Sequence, residues 1–83
     1  MRLPRDLSGG DLVRALKALG YEVTRQTGSH IRLTTQHHGE HHLTVPRHSP
    51  LRTGTLAIIL GEAARHFEMT RDELLVRLFG KGQ

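Results

Sequence analysis

The chain has 83 residues and a mass of 9.3 kDa, enough for one small domain and too short for two. Its hydrophobic content of 36% is that of a globular protein, and the lack of cysteine excludes disulfides, thiolate metal sites and thiol nucleophiles. Twelve Lys and Arg face eight Asp and Glu, giving a formal charge of +4, all of it held by residues 1–55 with eight basic and four acidic side chains. A basic half of this kind points to a polyanion, with RNA or DNA the first choice. No apolar run is long enough for a membrane span or a signal-peptide core, and a cysteine-free chain fits a reducing cytoplasm. So short a chain is expected to be marginal alone or helped by a partner.

The first four residues and the last three or four read as frayed ends. The first helix begins at Ser8, an N-cap with Asp11 completing a capping box. Leu12, Ala15, Leu16 and Leu19 share its inner face, and Gly20 stops it. Three strand-like pieces follow. Tyr21 to Arg25 places Tyr21 and Val23 on one face. His30 to Thr35 places Ile31 and Leu33 inward, with His30, Arg32 and Thr34 outward. His42 to Val45 places Leu43 and Val45 inward, with His42 and Thr44 outward. Alternation with one apolar face predicts an antiparallel sheet covered on one side.

Matching the inward residues of the second hairpin requires a loop of odd length. A three-residue loop, His38-Gly39-Glu40, satisfies this and would set His30 opposite His48. The second helix starts near Thr53 or Thr55, with Leu56, Ile59, Leu60, Ala63 and Phe67 as its stripe. A third helix, about residues 71–79, is capped by Thr70 and Glu73, shows Leu74, Leu75 and Leu78 inward, and ends at Gly80. The predicted fold is α+β: α-β-β-β-α with a three-stranded antiparallel sheet, helices on one face, and a short C-terminal helix.

Several stretches carry a resemblance. They are Ser8-Gly9-Gly10-Asp11-Leu12-Val13-Arg14-Ala15-Leu16, Leu19-Gly20-Tyr21, and Arg25-Gln26-Thr27-Gly28-Ser29-His30. Leu43-Thr44-Val45-Pro46-Arg47-His48 and Gly54-Thr55-Leu56-Ala57-Ile58-Ile59-Leu60 continue the series. In this order and spacing the chain resembles the HicA family of bacterial toxins over roughly residues 7 to 60. The resemblance implies a fold like a double-stranded-RNA-binding domain and a single domain over 1–83, with a core at about 7–68. It further implies metal-independent cleavage of messenger RNA, no cofactor, and a HicB-like antitoxin as partner. The histidine of the Gly-Ser-His motif, His30 here, would be the catalytic residue. The chain departs from the family pattern where Glu62 to Met69 lengthens the second helix, and in its His-rich hairpin.

The residues suit that chemistry. Metal-free cleavage of RNA needs a base for the 2′-hydroxyl proton and an acid for the leaving oxygen, and imidazole serves both. His30 sits at a glycine-serine turn entering a strand, and Arg32 shares its face and could stabilise the phosphorane charge. An exposed strand histidine is the plainer reading of the residue alone. His48 is a candidate second acid or base, a residue that orients RNA or the antitoxin, or simply a loop histidine. Gly28 permits a tight turn, and Ser29 either supports that turn or contacts phosphate.

Arg14, Lys17, Arg25, Arg32, Arg47 and Arg52 are the RNA-contact candidates beside Ser29. Only three aromatic residues argue against a stacking reader of single strands. His37, His38, His41 and His42 invite a metal, but neighbours alternate faces and Glu40 is the only nearby carboxylate, so no metal site is assigned. Two rivals to the nuclease share its features: a non-catalytic RNA-binding module, and a domain that only binds an antitoxin-like protein.

Overall fold

A computed structural model describes residues 2–80. The elements run α1 (Gly9–Leu16), a 3-10 turn (Lys17–Leu19), β1 (Glu22–Thr27), β2 (His30–Thr35), β3 (His41–Pro46), α2 (Thr53–His66) and α3 (Arg71–Phe79). The strands form one antiparallel sheet in the order β1-β2-β3. This is the expected α+β layout of a double-stranded-RNA-binding-domain-like fold, with a C-terminal helix added.

Both expected capping boxes are formed. The Ser8 hydroxyl accepts from the Asp11 N–H and the Asp11 carboxylate accepts from the Ser8 N–H. Thr70 and Glu73 do the same for α3. Two donors are thereby satisfied at each helix start. Gly20 adopts φ 84°, the left-handed conformation that lets the chain leave the 3-10 turn. Gly80 follows α3 in the right-handed region, so that helix ends without the left-handed cap.

One face of the sheet is apolar. Ile31, Leu33, Leu43 and Val45 meet Leu12, Leu16, Leu56, Ile59 and Leu60 in the core, and Leu74, Leu75 and Leu78 close it from α3. Val13 is also buried, whereas Ala15 is only partly covered. Each buried Leu or Ile contributes about 1.5–3 kcal/mol. Leu3 and Leu7 pack against this core, so the segment before α1 is held rather than frayed. The predicted fraying of Met1 and of residues 81–83 lies outside the described residues.

The structure corrects three expectations. First, β1 spans Glu22–Thr27, not Tyr21 to Arg25. Tyr21 precedes it, and the register shifts between Val23 and Arg25, leaving Thr24 as an extra residue. Val23 faces the apolar side opposite Leu33 yet is 43% exposed, the helices packing mainly over β3.

Second, β3 spans His41–Pro46, one residue longer at each end than expected. Third, the β2–β3 loop has five residues, Gln36 to Glu40, with Thr35 paired to His41. The odd length keeps the apolar faces matched, but the register moves by two and sets His30 opposite Pro46 instead of His48. Thr35 causes the shift. Its buried hydroxyl donates to the Leu19 carbonyl at 2.9 Å and accepts the His37 N–H at 3.2 Å, so the chain turns before His37 can pair. Gly39 N–H then donates to the Gln36 carbonyl at 3.2 Å.

Candidate RNA-cleavage site

His30 opens β2. Thr27 pairs with His30, leaving Gly28 and Ser29 as a two-residue hairpin loop. Gly28 has φ 53°, a positive value at the first loop position that suits the right-handed twist of the strands. The far side of the turn is tied to β3: Arg47 N–H donates to the Ser29 carbonyl at 2.6 Å. Ser29, His30, Pro46 and Arg47 therefore form one corner, with His30 exposed on the face the helices leave open.

That open face is basic. Arg25 stands directly opposite Arg32, and Thr44 flanks Arg32 on the other side. Both arginines are exposed. Directly opposed residues hold their Cβ atoms about 4.5–5.5 Å apart, so two guanidinium stems here share one small patch. Further along, Thr24, Thr34, His42 and Glu40 form a polar chain: Thr24 to Thr34 at 3.0 Å, Thr34 to His42 Nδ1 at 2.8 Å, and His42 Nε2 to Glu40 at 2.9 Å. The carboxylate of Glu40 is thus directed to His42.

Not every predicted residue joins this site. Arg14 and Lys17 lie on the helical side of the sheet, and Arg14 is paired with Asp11. The Ser8 hydrogen bonds and that arginine hold the Asp11 carboxyl below the usual carboxylate range. Arg52 is the N-cap residue of α2. His48 lies beyond the sheet, its carbonyl accepting the Gly9 N–H at 2.9 Å.

Gly9 was not singled out by sequence reasoning. The N-terminus of α1 abuts the corner so closely that a Cβ on Gly9 would collide with the Pro46 carbonyl oxygen and lie 3.2 Å from the Arg47 Cα. Sequence shows only a glycine pair at a helix start, and nothing in that pair marks which member is packed.

The remaining histidines serve the fold. His66 Nε2 lies 2.9 Å from the His37 carbonyl and 3.1 Å from that of Gly39, so this nitrogen carries the proton and donates to both. His66 stacks on His41 with ring centres 4.3 Å apart and packs edge-on against Phe67. Burial pushes the Tyr21 phenol up to about 12, with the Glu62 charge adding to it. Burial, then the His66 charge, lowers His41. The Tyr21 hydroxyl and His41 Nδ1 share a hydrogen bond of 2.7 Å. The hairpin tip is thereby fastened to α2. Among the described residues no group of three or more His, Cys, Asp and Glu is arranged to hold a metal ion. By contrast, neither the His30 nor the His48 side chain is held by another described residue.

No helix among the described residues is long and apolar enough to cross a membrane. No curated protein and no solved structure matches the chain. A family model described as the HicA toxin of bacterial toxin-antitoxin matches residues 9–64, from the glycine at the start of α1 to the last third of α2. That stretch covers more than half of the chain and includes the whole sheet with the His30 corner, and the chain belongs to the HicA toxin family.

Proposed function

We propose that this toxin is an endoribonuclease that cleaves messenger RNA without a metal ion, with His30 as its catalytic residue. The carrying observation is that Arg25 and Arg32 oppose each other on the same open sheet face as the exposed His30. His30 takes the proton from a ribose 2′-hydroxyl. The 2′-oxygen attacks the adjacent phosphorus, the bond to the 5′-oxygen breaks, and that oxygen takes a proton from solvent. The products are a 2′,3′-cyclic phosphate and a 5′-hydroxyl. Arg32 offsets the charge that builds on the phosphorane oxygens, and Arg25, Arg47 and Ser29 hold the flanking phosphates.

The toxin's partner is a HicB-like antitoxin that covers the open face. Acidic side chains on the antitoxin would complement the +4 charge and speed association. Expressing the toxin without its antitoxin, in the cytoplasm, tests the whole reading. Cellular messenger RNA is expected to acquire new 5′-hydroxyl ends with the native chain and to stay intact with His30→Ala. Equal decay with both chains would overturn the reading.

A further inference from the structure

A second basic feature draws its arginines from outside the matched segment 9–64. Arg2, Leu3, Pro4, Arg5, Thr53 and Arg71 line an open cleft of about 520 Å³, within the range of about 300–1,000 Å³ typical of ligand sites. Among the described residues that line it, three are arginines and none is acidic. Among the described residues none of the three is in an ion pair. They come from distant parts of the chain, and the fold gathers them. Leu51 N–H donates to the Leu7 carbonyl at 2.8 Å, and Leu3 and Leu7 pack on the core, which fixes residues 3–7 beside the loop leading into α2. Arg71 is the first residue of α3.

Three guanidinium groups around one concavity repel each other until an anion joins them, and their planar forks fit phosphate oxygens. The cleft is also tethered to the His30 corner. Pro46 lies opposite His30, and the seven residues from there to Thr53 can span at most about 25 Å. The exposed side chains of Arg47 and Arg52 stand along that stretch.

We propose that the Arg2, Arg5 and Arg71 cleft grips the phosphodiester backbone of RNA as a second anchoring site, away from the bond that is cut. The inference rests on the ribonuclease reading above. These arginines are positioning residues that hold the strand while His30 acts.

Binding of a short fluorescein-labelled single-stranded RNA to the full chain, followed by anisotropy in a His30→Ala background, tests the proposal. Each phosphate contact contributes about 0.7 to the slope of log affinity against log salt on single strands. Replacing Arg2, Arg5 and Arg71 together by Gln is expected to make that slope shallower by about 2 and to weaken binding by about tenfold or more at 0.15 M salt. Arg71→Gln alone, at an exposed position, is expected to give about a third of the slope change, which guards against a misfolded triple variant. Arg77→Gln, on the same helix but outside the cleft, serves as the control and should bind like the parent.

Unchanged affinity and slope in the triple variant would overturn the cleft while leaving the ribonuclease reading intact. Absence of RNA binding by the parent would overturn both. Unchanged RNA binding with weakened antitoxin binding would assign the cleft to the protein partner and overturn the proposal. Displacement of the labelled RNA by inorganic phosphate at matched ionic strength would make the cleft a free-phosphate site, with the same consequence.

Discussion

Arg25 and Arg32 are cross-strand neighbours, paired in register on the sheet face that the helices leave uncovered. Like charges directly opposite each other destabilise a sheet. Replacing Arg25 by Thr is therefore expected to raise the melting temperature slightly while weakening RNA binding and making its salt dependence shallower by about 0.7. Stability and function should move in opposite directions. Thermal denaturation and RNA titration on one preparation check this, and a fall in both would show that the pair supports the fold.

The two glycines at the start of α1 are predicted to behave differently. A Cβ on Gly9 meets the Pro46 carbonyl, which cannot retreat without moving the corner that holds His30. Gly9→Ala should cost about 1–3 kcal/mol by overpacking. On Gly10 the nearest atoms to a Cβ are 3.7 and 3.8 Å away, both in side chains. Gly10→Ala should be neutral or stabilise by up to about 1 kcal/mol, since alanine is the better helix former. Denaturant unfolding of both variants decides the matter.

Thr35 should govern the shape of the second hairpin. Its hydroxyl is buried, 1% of the residue being exposed, and it serves both the Leu19 carbonyl and the His37 N–H. Thr35→Val leaves that carbonyl without a donor at a cost of about 1–3 kcal/mol. Amide exchange in residues 36–40 is expected to accelerate more than elsewhere, and uniform exchange across the sheet would contradict this role.

This residue also explains what the sequence left hidden. The alternation of Ile31, Leu33, Leu43 and Val45 made the sheet, its buried face and the parity of the hairpin readable, and the two capping boxes made the helix starts readable. The register itself depends on a hydroxyl reaching the Leu19 carbonyl, sixteen residues away, and on His66 binding the carbonyls of His37 and Gly39. Such contacts leave no local pattern, so the expected pairing of His30 with His48 was two residues out. The exposure of Val23 was hidden similarly, because alternation does not show how far the helices reach. The role of the histidine-rich hairpin needed the stacking of His41 on His66 to become visible.

The same stack predicts acid sensitivity. His41 has its pKa lowered in the fold, so the unfolded chain takes up the proton first as pH falls. The stabilising contribution of the neutral ring is present above about pH 6.5, the unfolded value, and is lost as pH falls through and below it. The Asp11 contribution persists until the pH falls below the ordinary carboxylate value, since its pKa is also lowered. Between pH 7 and 5 the melting temperature should therefore drop, and His41→Phe should flatten that drop. Parallel curves for the two proteins would contradict the assignment.

The central claim concerns His30, and cleavage of RNA by the purified toxin, freed of antitoxin and held in chelator, tests it most directly. The native chain is expected to cut a labelled RNA and leave 2′,3′-cyclic phosphate ends. His30→Ala is expected to bind the same RNA and lose cutting by about a hundredfold or more, the scale of a missing acid-base group. Undiminished cutting by His30→Ala, or no cutting by the native chain while RNA stays bound, would contradict the account.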